Sequence, residues 1–261
     1  MPSSAEERPS VVSLEQAQAA MEAGDPARAV ALYARLLAEI EGPDASSTLR
    51  QAYPGFARAL EAIGDFQAAA RVYTAYLQNF GEADNRAEIY ARRGACEAEA
   101  QLWAPSAASF AAAREAGELL PSAEVEMLAR EGYALYEAGE GAKAQERLEQ
   151  ADAIFKDAQQ QASERFSNYY FVGMARFYLA ALYHREFRAI ELKLPEAKME
   201  KDMARKLELL QKAQEAYNHA VEAKHIYWVS AAGYQLGSLF EEFYDSLMHA
   251  PVPDWLDAKQ R

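Results

Sequence analysis

Apolar side chains along this chain recur every third or fourth position, in runs of helical length separated by short polar or glycine-containing gaps. Tyr53, Phe56, Ala57 and Leu60 lie at spacings of 3, 1 and 3, which is one face of an α-helix. Phe171, Met174, Ala175 and Tyr178 repeat that spacing, and Leu128, Gly132 and Leu135, or Tyr90 and Gly94, follow it in part. No stretch alternates apolar and polar residues with Val, Ile or Thr enrichment, so the pattern predicts helices and no strands.

The helical runs repeat. Gly24-Asp25 and Gly64-Asp65 are each followed by a small residue and then a tyrosine four further on, Ala29 with Tyr33 and Ala69 with Tyr73. A third copy puts Leu102-Trp103-Ala104-Pro105 at the turn and continues with Ser106 and Phe110; a fourth has Gly139, Ala144 and Leu148. Aligned on the small residue, the copies sit 40, 37 and 38 residues apart. A small residue on each helix lets its neighbour approach, a large one fills the space left, and a tight turn makes the two antiparallel. The 56 alanines fit this closeness, since alanine favours helix and leaves room for another backbone.

Aromatic, small residue, Gly-Asp turn, small residue, aromatic: this order resembles the tetratricopeptide repeat. The copy from Tyr53 to Tyr73 carries it best. In the first copy Ser13, Gln16 and Ala20 stand where larger apolar residues usually sit, and the period exceeds the family's ~34 residues. Longer connections are therefore expected, at Glu41-Gly42-Pro43-Asp44 and Gly81-Glu82-Ala83-Asp84. The resemblance covers residues 11–156 and implies an all-α fold, a right-handed α-α superhelix of about five helix pairs plus a C-terminal capping helix. It implies no enzyme, but an interaction scaffold or adaptor that holds a protein or peptide.

Beyond residue 156 the character changes. Phe166 to Leu194 reads as one long helix with eight aromatics, closed by Pro195; a charged helix follows in which Ala213, Tyr217 and Ala220 repeat the second-helix spacing. Most of these aromatics are expected in the core. A last helix from Tyr227 to His249, ended by Pro251-Val252-Pro253, would cap the open end of the stack. The division expected is a flexible N-terminus over 1–10, four pairs over 11–156, an enlarged aromatic-rich fifth pair over 157–224, and the capping helix with a Pro-rich tail over 225–261. The tract Trp228, Ala231, Ala232, Leu236-Gly237, Phe243, Leu247 and Pro251-Val252-Pro253 resembles the closing tract of tetratricopeptide proteins of deltaproteobacterial envelope and gliding-motility systems. That resemblance implies an alternative role, as a structural subunit of such a complex, packed through its convex face and aromatic C-terminal helices.

Charge narrows the partners. At −13 the chain lacks the basic face that phosphate contacts require, so neither nucleic acid nor an anionic membrane is expected as a partner. No run of 18 apolar residues is present, and no membrane insertion is expected. The expected compartment is the cytoplasm, or the periplasm if a signal segment has been removed. Cys96 is the only cysteine, which rules out an intrachain disulfide or thiolate cluster, and its place between Ala95 and Ala98 points to burial. The four histidines are not spaced for one helical face: His219 and His225 are six apart. Adjacent carboxylates such as Glu241-Glu242 point apart on a helix and read as a solvated face. No phosphate loop, nucleophile elbow or zinc-protease motif occurs, and no cofactor or metal is expected.

The candidate site is a surface. In the tetratricopeptide family the first helix of each pair lines the inner face, and the register places Arg58, Arg92, Arg130 and Arg176 on or beside it, with Tyr133, Tyr136 and Tyr169. Arginine forks grip carboxylates and tyrosines give broad contact area, so an acidic or C-terminal peptide would suit such a groove. The competing reading is pairing within a helix, Arg58 with Glu61 or Arg130 with Glu126. The partner's identity and the oligomeric state are not legible in the sequence.

Overall fold

A left-handed residue between two helices sets the repeating unit. The computed structural model describes residues 13–40 and 45–252. The N-terminus expected to be flexible over 1–10, the connection at 41–44 and the tail from Pro253 lie outside the described residues. The first turn joins α1 (Leu14–Glu22) to α2 (Pro26–Glu39) with Gly24 at φ 74°. The second joins α3 (Ala45–Ala62) to α4 (Phe66–Asn79) with Gly64 at φ 80°, and the fourth joins α7 (Pro121–Glu137) to α8 (Gly141–Gln161) with Gly139 at φ 80°. In each, the next amide N–H returns to a carbonyl five residues back, from Asp25 to Ala20, Asp65 to Leu60 and Glu140 to Leu135. The aspartates then start the second helix: Asp25 and Asp65 accept from the Arg28 and Ala68 amides at 3.0 Å each. The Gly-Asp pair thus ends one helix and caps the next.

The third turn joins α5 (Arg86–Glu99) to α6 (Trp103–Glu115) and keeps this geometry without glycine. Gln101 takes φ 57° and the Leu102 amide donates to the Glu97 carbonyl at 2.7 Å. The residues that replace Gly-Asp in the sequence leave the turn unchanged, at the cost of a strained glutamine.

The small-large pairs are the core. Ala29 and Tyr33, Ala69 and Tyr73, Ser106 and Phe110, and Ala144 and Leu148 are all buried. Phe110 packs over Gly94 and Leu148 over Gly132, so closely that a β-carbon on either glycine would come within 3.1 or 2.6 Å of the partner side chain. The polar start of the first copy has its own reason: Ser13 and Gln16 form a capping box at the head of α1.

The chain divides into two compact units, Met1–Gly117 with α1–α6 and Glu118–Arg261 with the rest. In the first, each helix packs on its sequence neighbours and α1 also meets α3. The second contains α7, α8, α9 (Tyr170–Ala189), α10 (Glu196–Val221) and α11 (Ile226–Met248); α9 packs on α7, α8, α10 and α11. Among the described residues there are eleven helices and no strand, five antiparallel pairs and a closing helix, the all-α solenoid type of fold.

The aromatic helix is shorter than its sequence predicts. It begins at Tyr170, not Phe166, and just ahead of it the Asn168 side chain accepts from the Tyr170 amide in a local turn. Ahead of it, the Glu164 carboxylate is held by the Ser122 amide and hydroxyl at 2.8 and 2.6 Å. It ends at Ala189, and Pro195 caps the next helix instead. Seven of the eight aromatics are at least half-buried, and only Tyr169 is exposed.

A polar network seats α11 in the second unit. Glu242 accepts from Arg188 at 2.7 and 2.6 Å, from Ser238 at 2.9 Å and from the buried His184 Nε2 at 3.1 Å. The Tyr217 hydroxyl lies 3.2 Å from His184 Nδ1, which a neutral ring donating to Glu242 allows it to donate to. Lys206, also buried, donates to the Phe187 and Ile190 carbonyls and sits 3.8 Å over the Phe187 ring. Burial resists ionisation of Glu242, but the bonds from Arg188, Ser238 and His184 outweigh it and hold its pKa down at about 2. Burial, and then the Arg188 charge, holds His184 below its ordinary value.

Two outcomes follow. Gln101→Gly is expected to stabilise the chain by about 1 kcal/mol in urea unfolding, since the left-handed strain exceeds glycine's entropic cost. Acid is expected to destabilise it in two stages of one sign. Below the ordinary histidine pKa of 6.5 an unfolded His184 takes a proton that the folded one resists. From 4.5 towards 2, Glu242 charge held only in the fold is lost. Unfolding followed by circular dichroism across pH should show both, and Glu242→Gln should flatten the lower limb.

Candidate partner-binding surfaces

In the first unit the first helices line a groove of about 260 Å³. Arg50, Gln51 and Arg58 of α3 form one wall and Glu88 and Arg92 of α5 the other, with Gln18 of α1 at the edge. Arg58 and Arg92, placed on this face by their register, do come together here. Arg92 is partly committed: its NH1 pairs with Glu61 at 3.4 Å and its Nε with Glu88 at 3.1 Å. Glu61 also accepts from the Tyr73 hydroxyl at 2.6 Å and lies 3.5 Å from Cys96 Sγ. The pairing of Arg58 with Glu61 that helical spacing allows does not form, because Glu61 turns inward to these groups. Arg58 and Arg50 are exposed and make no ion pair among the described residues; Arg50 lies 5.2 Å over the Phe80 ring. Burial raises the Tyr33 pKa, and the Arg58 charge opposes this.

In the second unit the candidates separate. Arg130 makes the intrahelical pair with Glu126 at 2.9 Å and lies 4.8 Å over the Phe171 ring. Tyr133 and Tyr136 are half-buried and stack against Tyr178 at 4.5 and 5.3 Å, and Arg185 covers Tyr136 at 4.3 Å. Arg176 is not offered to a ligand. It is 6% exposed, bonded to Asp152 at 2.6 Å and to the His219 carbonyl at 3.2 Å, and lies over Phe155. Register alone does not reveal this, because the aspartate that draws Arg176 inward is on a different helix. Tyr169 lies outside the helix, edge-on to Phe155 at 5.7 Å, beside a depression of about 400 Å³ that also includes Arg165 and Phe166.

Two features escaped the pattern reading. Arg50 and Gln51 line the groove one turn before the best repeat copy, where the aromatic-small register gives no cue. The outer face of α11 carries Ile226, Tyr227, Tyr234, Phe240, Tyr244 and Met248 in solvent. Its signal was a second apolar stripe on a helix read only for the stripe it buries. Among the described residues no three or more His, Cys, Asp or Glu side chains are placed to hold a metal ion, and no helix is long and apolar enough to cross a membrane.

No protein-family model matches the chain, and no curated protein matches it. Solved structures do. The crystal structure of MamA protein has a TM-score of 0.52 at 14% identity, covering 81% of this chain and 89% of that one. A tetratricopeptide-repeat protein of Bacteroides fragilis has a TM-score of 0.41 at 14% identity, covering 86% of this chain and 96% of that one. MamA residues 41 to the end from Desulfovibrio magneticus has 0.46 at 14%, covering 77% and 93%. The likeness to the MamA structure is one of fold alone.

Cys96 provides a check on the packing behind the groove. It is 3% exposed, and burial, reinforced by the Glu61 charge, pushes its thiol pKa up. Thiol reagents are expected to leave it unmodified in the native chain and to label it in urea, read by mass spectrometry.

Proposed function

We propose that this chain is a non-catalytic scaffold whose first unit holds an acidic peptide segment of another protein. The fold supports the general role, since helix-pair solenoids present side chains on rigid elements along an extended face. The observation that carries the acidic partner is the groove of α3 and α5. It holds three guanidinium groups, of which Arg50 and Arg58 lack an ion-pair partner among the described residues, on a chain of net charge −13. Free cations gathered in one groove of an acidic chain are a specific attraction for carboxylates, and guanidinium forks accept them in pairs.

Gln18 and Gln51 on the same walls would bond the backbone of an extended segment, and Tyr73 forms part of the floor. Arg92, half-satisfied by Glu61 and Glu88, would keep its orientation with or without ligand. Arg130, Tyr133 and Tyr136 fit a different reading, as supports for the aromatic packing of the second unit. The alternative role, a structural subunit of a bacterial envelope or motility assembly, draws on the closing tract and on the exposed face of α11.

A fluorescein-labelled hexaglutamate peptide tests the groove. Arg50→Glu with Arg58→Glu leaves the Glu61 network intact, so the fold should hold, and anisotropy should show binding weakened at least about tenfold. Binding should also fall as salt rises. Equal binding by the wild type and the double variant would overturn the groove as the site.

A further inference from the structure

The outer face of α11 is built like the contact face of a helix pair, and no described residue covers it. Residues 226, 230, 233, 237, 240, 244 and 247 advance in alternating steps of four and three, the spacing of a helix-helix seam. They read Ile, Ser, Gly, Gly, Phe, Tyr, Leu, and all seven are exposed. Tyr227, Tyr234 and Met248 flank the seam and are exposed as well.

The two glycines point to a missing neighbour. Elsewhere in this chain a glycine inside a helix has a visible reason: a β-carbon on Gly94, Gly132 or Gly173 would come within 3.1, 2.6 or 2.6 Å of Phe110, Leu148 or Trp228. A β-carbon on Gly233 or Gly237 would meet nothing within 4 Å. Glycine inside a helix is unfavourable, and nothing among the described residues requires it here.

We infer that a second copy of this chain packs on the face, with the two α11 helices antiparallel about Gly237. The seam is self-complementary in that direction. Ile226 then faces Leu247 of the other copy, Ser230 faces Tyr244, Gly233 faces Phe240, and Gly237 faces itself. Each large side chain of one copy meets a small one or an aliphatic partner of the other, as Phe110 meets Gly94 within the chain. A two-fold axis generates all of these contacts at once. A parallel pair would instead set Phe240 on Phe240 and Glu241 and Asp245 on themselves. The antiparallel pair separates those acids.

The area suits a dimer. Tyr227, Tyr234, Phe240 and Tyr244 are 46–76% exposed. At ~150–250 Å² per aromatic side chain they offer roughly 350–600 Å² per copy. Ile226, Leu247 and Met248 bring this towards the ~800 Å² per partner of a standard interface. This pairing is independent of the groove, which lies on other helices.

Light scattering on the eluting full-length chain at micromolar concentration is expected to give twice the chain mass. Gly233→Glu with Gly237→Glu adds side chains into open space and improves helix propensity, so far-ultraviolet circular dichroism should show the helical fold retained. The dimer dissociation constant should rise roughly a hundredfold, through like charges facing across the axis. Gly237→Cys should form an intermolecular disulfide under mild oxidation, whereas Ile63→Cys, exposed at the turn between α3 and α4, should not. A monomeric wild type, a dimer unaffected by the glutamates, or failure of Gly237→Cys to cross-link would each overturn the pairing; so would a chain that stays monomeric and instead captures an unrelated helix on this face.

Discussion

The close approach of two helices at a small residue governs this protein. Where Gly94 meets Phe110 and Gly132 meets Leu148, no room is left for even a methyl group. The two backbones are held at a distance only that pairing allows, and a packed interior tolerates little change in volume. The left-handed turn exists to deliver this contact. It reverses the chain within a few residues, so the small position of the second helix falls against the first. Gln101 shows how strong the requirement is, since the turn keeps its geometry even where the sequence supplies a residue that dislikes it.

Polar groups in this fold divide by how many partners the packing brings to them. Arg176 and Glu242 are each held by groups from other helices, and both seat one helix on the next. Arg50 and Arg58 are exposed and make no ion pair among the described residues. The same contrast separates the aromatics: those of α9 are stacked inside the second unit, whereas Tyr234 and Tyr244 of α11 remain in solvent. What a side chain is free to do depends on its surroundings more than on its type.

Much of the fold is legible in the sequence because its determinants are local. Gly24-Asp25 and Gly64-Asp65 specify a turn and a cap within a few residues, and the 3.6-residue periodicity then assigns Ala69, Tyr73, Ala144 and Leu148 to the interior. The placing of Arg58 and Arg92 on one wall-to-wall groove also follows from register, because successive first helices present the same face. The start of the aromatic helix was less legible, since the turn of Asn168 with Tyr170 lies within a run that periodicity alone would have begun as helix at Phe166.

The sequence by itself determined the helical class, the antiparallel pairs and the small-large core, all of which rest on contacts between residues near in the chain. Tertiary structure decided which charged and aromatic groups are available. Asp152 reaches Arg176, and Glu61 is drawn to Tyr73 and Arg92 rather than to Arg58, through approaches between different helices. The unfilled glycines of α11 belong to the same class, for a glycine in a helix looks alike in sequence whether a neighbour fills its notch or not. Ion pairing and burial are properties of distance in space, and a periodic pattern reports only direction around a helix.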